Sequence, residues 1–219
     1  MEITYLGHSC FEIRTKERRI LIDPFLVMSK NYDYSDVTDI FVTHGHGDHL
    51  GSAIEISRKT GATITAIFEL ANYCASKGAS ANGINLGAWI EYEFGEVIAV
   101  PAFHSSSTPE GIYAGCPCGF IFNIEGKKLY HAGDTCLNSE MKIIGDTYQP
   151  DIAMLPVGGQ YTMDIEMAVI ASEMLNVTAV IPMHYNTFEA INVEITEFER
   201  QIREKGKVPV ILKIGQTLE

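Results

Sequence analysis

Apolar and β-branched residues fill positions 3–14 and 19–25, and the charged stretch Thr15-Lys16-Glu17-Arg18 separates them. That pattern predicts an N-terminal hairpin. Further short apolar runs predict strands over residues 40–43, 62–68, 96–103, 151–156, 178–183 and 208–214. A second hairpin is expected over 119–125 and 128–132, around Gly126. Apolar positions at helical spacing predict helices over 51–60, 69–77, 164–175 and 193–205. The chain therefore reads as β-rich at first and alternating later, an α/β protein. Four of these strands end at or just before a metal-ligand type of residue: His44, His104, Asp134 and His184. A sheet delivers its strand ends to one edge, where loops gather side chains into a cleft.

Composition narrows the class. With 219 residues, 46% hydrophobic and 20% charged, the chain can bury a sizeable core, and no low-complexity linker divides it, so one domain over residues 1–219 is expected. A formal charge of −12 argues against binding nucleic acid or an anionic membrane through phosphates. The N-terminus lacks the basic and apolar regions of a signal peptide, and no run approaches the ~20 apolar residues of a membrane span. A cytoplasmic protein with a small-molecule substrate is expected. Its five cysteines, 10, 74, 116, 118 and 136, are odd in number and scattered, which predicts reduced thiols. Cys116-Pro117-Cys118 is one close pair without a second, and is read as loop or core cysteines rather than a metal site.

The sharpest signal is His44-Gly45-His46-Gly47-Asp48-His49. The glycines free the backbone to turn tightly, so neighbouring side chains can converge. Four ligand-type residues in six positions are too many for one tetrahedral ion that also keeps an open position. Two ions resolve the excess, with His44 and His46 on one, Asp48 and His49 on the other. His104 would complete the first set and His184 the second, and Asp134 would bridge both through its two oxygens. His8, between Gly7 and Ser9-Cys10, marks a bend. It is a candidate proton donor to the leaving group, against a hydrogen-bonded core histidine. His131 lies within a strand and reads as structural.

These residues resemble the metallo-β-lactamase superfamily. Gly7-His8-Ser9-Cys10-Phe11, Ile22-Asp23-Pro24-Phe25, Tyr130-His131-Ala132-Gly133-Asp134-Thr135 and the stretch from Leu155 to Asp164 extend the resemblance to its small metal-dependent hydrolases. That branch is similar to the ascorbate-6-phosphate lactonases and, more distantly, to phospholipase D enzymes acting on N-acylethanolamine phospholipids. The resemblance implies a four-layer αββα sandwich with the metals along one edge of the paired sheets. It also implies that Asp23 orients the ligand loop; independently, a carboxylate at a strand end can accept the back N–H of a ligand imidazole. A plain turn residue before Pro24 is the alternative. Gln160 departs from the histidine that many relatives carry after Gly158-Gly159.

The expected activity is metal-dependent hydrolysis by a hydroxide activated at a dinuclear centre, with Asp48 orienting the nucleophile or accepting its proton. Two divalent ions, Asp48, Asp134 and a hydroxide leave roughly one positive charge, enough for the oxyanion of a carbonyl. The ester or lactone class is therefore favoured, a sugar-phosphate lactone included. Phosphodiester cleavage, of phospholipase or nuclease type, is the alternative enzyme. A non-hydrolytic metal-binding or redox protein is the alternative from another class. Imidazole and carboxylate donors suit zinc, manganese and iron alike; zinc is the first expectation, with manganese and iron as further choices. A homo-oligomer is compatible with the resemblance, and composition does not decide it.

Overall fold

In the computed structural model, which describes residues Met1–Glu219, the first apolar run folds as two strands rather than one. β1 (Glu2–Gly7) and β2 (Cys10–Arg14) are antiparallel, with a register shift between Tyr5 and Gly7 and a reversal at His8 and Ser9. Residues on both sides of the break are equally apolar, so periodicity alone could not reveal it. β3 (Arg19–Ile22) pairs antiparallel with β2. β4 (Asp39–Phe41), β5 (Thr63–Ile67) and β6 (Ala81–Ile84) then add in parallel. A C-terminal strand, Thr217–Leu218, pairs with β1 and completes a seven-stranded mixed sheet.

This sheet belongs to the first of two compact units, formed by residues 1–88, 105–118 and 212–219. Its helices are α1 (Gly47–Leu50), α2 (Ala53–Thr60) and α3 (Phe68–Ser76). The helix expected over 51–60 is α2, which begins at Ala53, and the short α1 precedes it, parted from it at Gly51. Gly51 has φ 45°, and a Cβ there would stand 2.4 Å from the Pro24 carbonyl oxygen, so only glycine fits. One sheet face packs Leu21, Ile40, Val42, Ile64 and Ala66 against Ile56, Leu70 and Cys74 of the helices. The residues alternating with these, Ile20, Ile22 and Phe41, are buried as well. Burial on both faces explains why these strands read as continuous apolar runs.

The second unit comprises residues 89–104 and 119–211. Its sheet runs in the spatial order β7 to β13: β7 (Trp89–Tyr92), β8 (Gly95–Pro101), β9 (Cys118–Ile124), β10 (Lys127–His131), β11 (Ile152–Pro156), β12 (Ala179–Met183) and β13 (Val208–Pro209). The last four are mutually parallel. α4 (Glu140–Tyr148), α5 (Ile165–Leu175) and α6 (Ile195–Glu204) accompany them. Asp164 caps α5, accepting a hydrogen bond from Met167 N–H at 2.8 Å. The strand expected over 208–214 is shorter, Val208–Pro209. No helix is long and apolar enough to cross a membrane.

What positions the site is strand direction. Asp23 follows β3 and His44 follows β4, two adjacent parallel strands of one sheet. Asp134 follows β10 and His184 follows β12, on either side of parallel β11. Each sheet thus presents its chemistry at the carboxyl ends of its parallel strands, where ligands of α/β sheets bind.

Candidate metal centre

In the first unit the histidine motif is held from behind. Asp23 is fully buried. Its Oδ1 accepts from the Thr43 N–H at 2.8 Å and its Oδ2 accepts from the Thr43 hydroxyl at 2.7 Å. The same Oδ2 lies 2.7 Å from His49 Nδ1. Thr43 Oγ1 in turn lies 3.0 Å from His44 Nδ1. His44 and His49 therefore both turn Nδ1 backwards and Nε2 forwards. His46 has the opposite orientation: its Nδ1 is 3.0 Å from His44 Nε2, while its Nε2 lies 3.5 Å from Ser105 Oγ. Ser106 Oγ accepts from the Gly45 N–H at 3.2 Å, tying the following loop across the motif.

α1 begins after His46 and places Asp48 and His49 in its single turn. Asp48 Oδ2 is 3.1 Å from His8 Nε2. His8 is fully buried, with φ 57°, and its ring meets the edges of Phe25 and His49. Tyr5 donates its hydroxyl to the His8 carbonyl at 3.1 Å. Donor atoms of His8, Asp48 and His49 lie within 4.8 Å of one another, as do those of His44 and His46 and those of His44 and His49.

In the second unit, Asp134 gathers two histidines. Its Oδ2 is 3.1 Å from His184 Nε2 and 3.5 Å from His104 Nε2. The turn that carries Asp134 is pinned by Phe103 N–H donating to Thr135 Oγ1 at 3.0 Å, and by Gly133 N–H donating to His131 Nδ1 at 3.2 Å. His131 thus supports the turn from the end of β10 and takes no place among the clustered donors. Gln160 is exposed with φ 42°.

The donors are imidazoles and carboxylates, the set that holds divalent zinc, manganese or iron. No cysteine takes part. All five are free; Cys10, Cys74 and Cys118 are buried, Cys116 and Cys136 exposed. Burial, and then the charge of Asp23, pushes the Cys10 and Cys118 thiols well above the usual thiol range. Of the lysines flanking the motifs in sequence, Lys128 donates to the Tyr148 carbonyl at 2.8 Å, Lys142 lies on α4 and pairs with Asp146, and Lys30 is exposed.

Sequence reasoning missed Thr43, Ser105 and Ser106, although each adjoins a named histidine or glycine of the motif. A hydroxyl residue directly before or after a candidate ligand histidine was the available signal for Thr43 and Ser105, and Ser106 stands one residue further on.

Comparison with known proteins identifies this arrangement. A family model described as the beta-lactamase superfamily domain matches residues 2–184. A UPF0173 metal-dependent hydrolase of Methanopyrus kandleri is 42% identical over 229 residues, covering 100% of both chains. One of Pyrococcus furiosus is 44% identical over 228 residues, covering 100% of this chain and 99% of the relative. The solved structure of Igni18, a metallo hydrolase from Ignicoccus hospitalis, superposes with a TM-score of 0.90 at 36% identity, covering 99% of this chain and 97% of that one. Its match brings the α/β sandwich architecture that the resemblance implies. The chain belongs to the metallo-β-lactamase superfamily and, within it, to the UPF0173 metal-dependent hydrolases.

Proposed function

We propose that the protein hydrolyses a small ester or lactone at a dinuclear centre, and that its two units act as one catalytic domain. In this reading His44, His46 and His104 hold one divalent ion, Asp48, His49 and His184 hold the other, and Asp134 bridges them. The observation that carries it is the Asp134 carboxylate. One of its oxygens has His184 Nε2 at 3.1 Å and His104 Nε2 at 3.5 Å, a histidine assigned to each ion. The donor set fits, since neutral imidazoles and carboxylates are what such ions take. Two ions, zinc first with manganese and iron as alternatives, supply Lewis-acid polarisation and acidify water near neutral pH.

The chain's own residues do the rest. Asp48 orients the attacking water and receives its proton. His8, at 3.1 Å from Asp48 Oδ2, holds that carboxylate in place and is the nearest buried imidazole through which a proton can pass to the leaving group. Asp23 fixes the rings of His44 and His49 rather than touching substrate. Four positive charges against Asp48, Asp134 and a hydroxide would leave roughly one positive charge, suited to an oxyanion of about one negative charge. A phosphoryl centre ordinarily recruits Lys or Arg as well. Lys128, six residues before Asp134, donates to the Tyr148 carbonyl at 2.8 Å, and Lys142, eight residues after it, is engaged with Asp146.

The test is metal content by elemental analysis, followed by kcat/KM on esters, lactones and phosphodiesters. Two ions per chain and faster turnover of esters or lactones are expected. A reproducible single ion, unchanged by added metal, overturns the dinuclear centre. A phosphodiester cleaved faster than every ester and lactone overturns the substrate class.

A further inference from the structure

The hydrogen bonds behind the histidine motif form a chain with a forced direction. A carboxylate only accepts, a threonine hydroxyl carries one proton, and a neutral imidazole donates from one nitrogen. Asp23 Oδ2 takes the Thr43 hydroxyl proton at 2.7 Å and faces His49 Nδ1 at 2.7 Å. With its proton given to Asp23, Thr43 Oγ1 can only accept from His44 Nδ1, 3.0 Å away. The order is His44 Nδ1–H to Thr43 hydroxyl to Asp23, with His49 Nδ1–H meeting the same carboxylate oxygen from the other side. All four residues are buried, so water does not compete for these bonds.

We infer that Thr43 is a positioning residue that extends the reach of Asp23 to a second histidine. One carboxylate thereby sets the tautomer of His49 directly and of His44 through the threonine hydroxyl. Both rings then offer Nε2 as a lone-pair donor. The two histidines are assigned to different ions, so Thr43 serves one ion and Asp23 serves both; this rests on the dinuclear reading above. The Thr43 backbone N–H also donates to Asp23 Oδ1 at 2.8 Å, which keeps the carboxylate seated when only the hydroxyl is removed. Threonine to valine conserves shape and deletes that hydroxyl, so it isolates the relay from packing.

The test titrates zinc into chelator-stripped protein against a chromophoric chelator, with no activity measured. His46→Ala and His184→Ala assign the binding steps to the two ions. Loss of an outer partner of a ligand histidine weakens metal binding roughly 10–100-fold. In Thr43→Val that loss is expected at the His46-dependent step alone, the other step staying within about two-fold. Asp23→Ala is expected to weaken both steps, and Thr43→Ser, which keeps the hydroxyl, to restore wild-type affinity. Thermal melting of the metal-free variants separates ligand positioning from general damage. Unchanged affinity in Thr43→Val overturns the relay. So does equal weakening of both steps that Thr43→Ser fails to rescue. A wild-type protein that takes up one ion or none refutes the dinuclear reading itself, and is seen before any variant is compared.

Discussion

Gly158 offers a clean perturbation of one proposed ligand, His184. It lies in the segment after β11, against the residue that follows β12. A Cβ built on it would stand 2.3 Å from the His184 carbonyl oxygen, with Ile191 Cβ at 2.8 Å. Real Cβ atoms essentially never approach below 3.0 Å, so the His184 backbone must retreat. Gly158 is absent from the positive-φ glycines, so alanine adopts its backbone without strain and the penalty is steric alone. Overpacking of this kind costs about 1–3 kcal/mol, which for a chain of this size lowers Tm by roughly 2–12 °C. The functional cost is larger. Displacing a ligand by roughly 1 Å is worth about a hundredfold in rate. Gly158→Ala should therefore lose the His184-dependent ion and about two orders of magnitude in kcat/KM, while still melting cooperatively. Gly159→Ala is the control. Its nearest foreign atom is Asp164 Cβ at 3.7 Å and its φ is 69°, so it should cost about 1–2 kcal/mol of stability and no metal. Elemental analysis, kcat/KM on an ester and calorimetry on both variants decide it. A Gly158→Ala enzyme with wild-type metal content and turnover refutes the reasoning, and so does equal metal loss in Gly159→Ala.

Asp134→Ala should lose both ions together, whereas His184→Ala should spare one; a bridge variant that keeps two ions shows the bridge to be misassigned. Thiol titration should find five groups in denaturant but only Cys116 and Cys136 reacting promptly in the native protein, since Cys74 is buried with its thiol pushed up to about 12 by desolvation. Converting Cys116 and Cys118 to serine should leave metal content unchanged. The loop over residues 105–117 is tied to α3 by Glu110, which accepts from the Tyr73 hydroxyl and from Lys77 at 3.1 Å. Those bonds, Tyr73 first, lower the Glu110 carboxyl from 4.5 to about 2. A lowered folded-state value means the tie is in full force above pH 4.5 and fades as pH falls toward 2. The protection of this loop's amides, exchange corrected for its intrinsic pH dependence, should accordingly fall across that acidic window, and Glu110→Gln should abolish this dependence.

Much of the fold could be read from apolar runs because most strands of both sheets are buried on both faces. β5, β8 to β12, α3, α5 and α6 lie within a few residues of their expected positions. The elements that escaped notice share a cause. β6 and β7 are the edge strands of their sheets, and α4 buries only Met141, Ile144 and Gly145. An exposed edge strand lacks a continuous apolar run, and the single i, i+3, i+4 set of α4 is too short to stand out. The site was legible where chemistry is concentrated in sequence, as in residues 44–49, and where a histidine closes an apolar strand. Thr43 and Ser105 left only a hydroxyl beside a histidine as a signal, and Gly158 left none, because it acts through a neighbour that only folding supplies. For Gly158 that neighbour, His184, is distant in sequence, and its carbonyl leaves no trace in composition.

Three residues of the proposed machinery break a local rule in the same way. His8, Asp23 and His184 have φ of 57°, 46° and 56°, a left-handed backbone that sequence reasoning would assign to glycine or asparagine. Each such residue costs about 1–2 kcal/mol. Each also stands where a strand stops, after β1, β3 and β12. Continuing the strand would send the side chain to one of the two sheet faces, into core or away from it. Turning left-handed instead leaves it at the strand end, among the other donors. The cost is met locally. Asp23 is placed to receive three charge-assisted hydrogen bonds, two from Thr43 and one from His49, each worth about 1.5–3 kcal/mol. His8 is held by the Tyr5 hydroxyl on its carbonyl and by Asp48 on its ring. His184 is held by Asp134. Strain of this kind persists only where surrounding contacts over-determine the residue. Glu125, Gln149 and Gln160 also hold positive φ but are exposed, so what supports a task for His8, Asp23 and His184 is that their left-handed backbone is combined with burial and with contacts among the clustered donors.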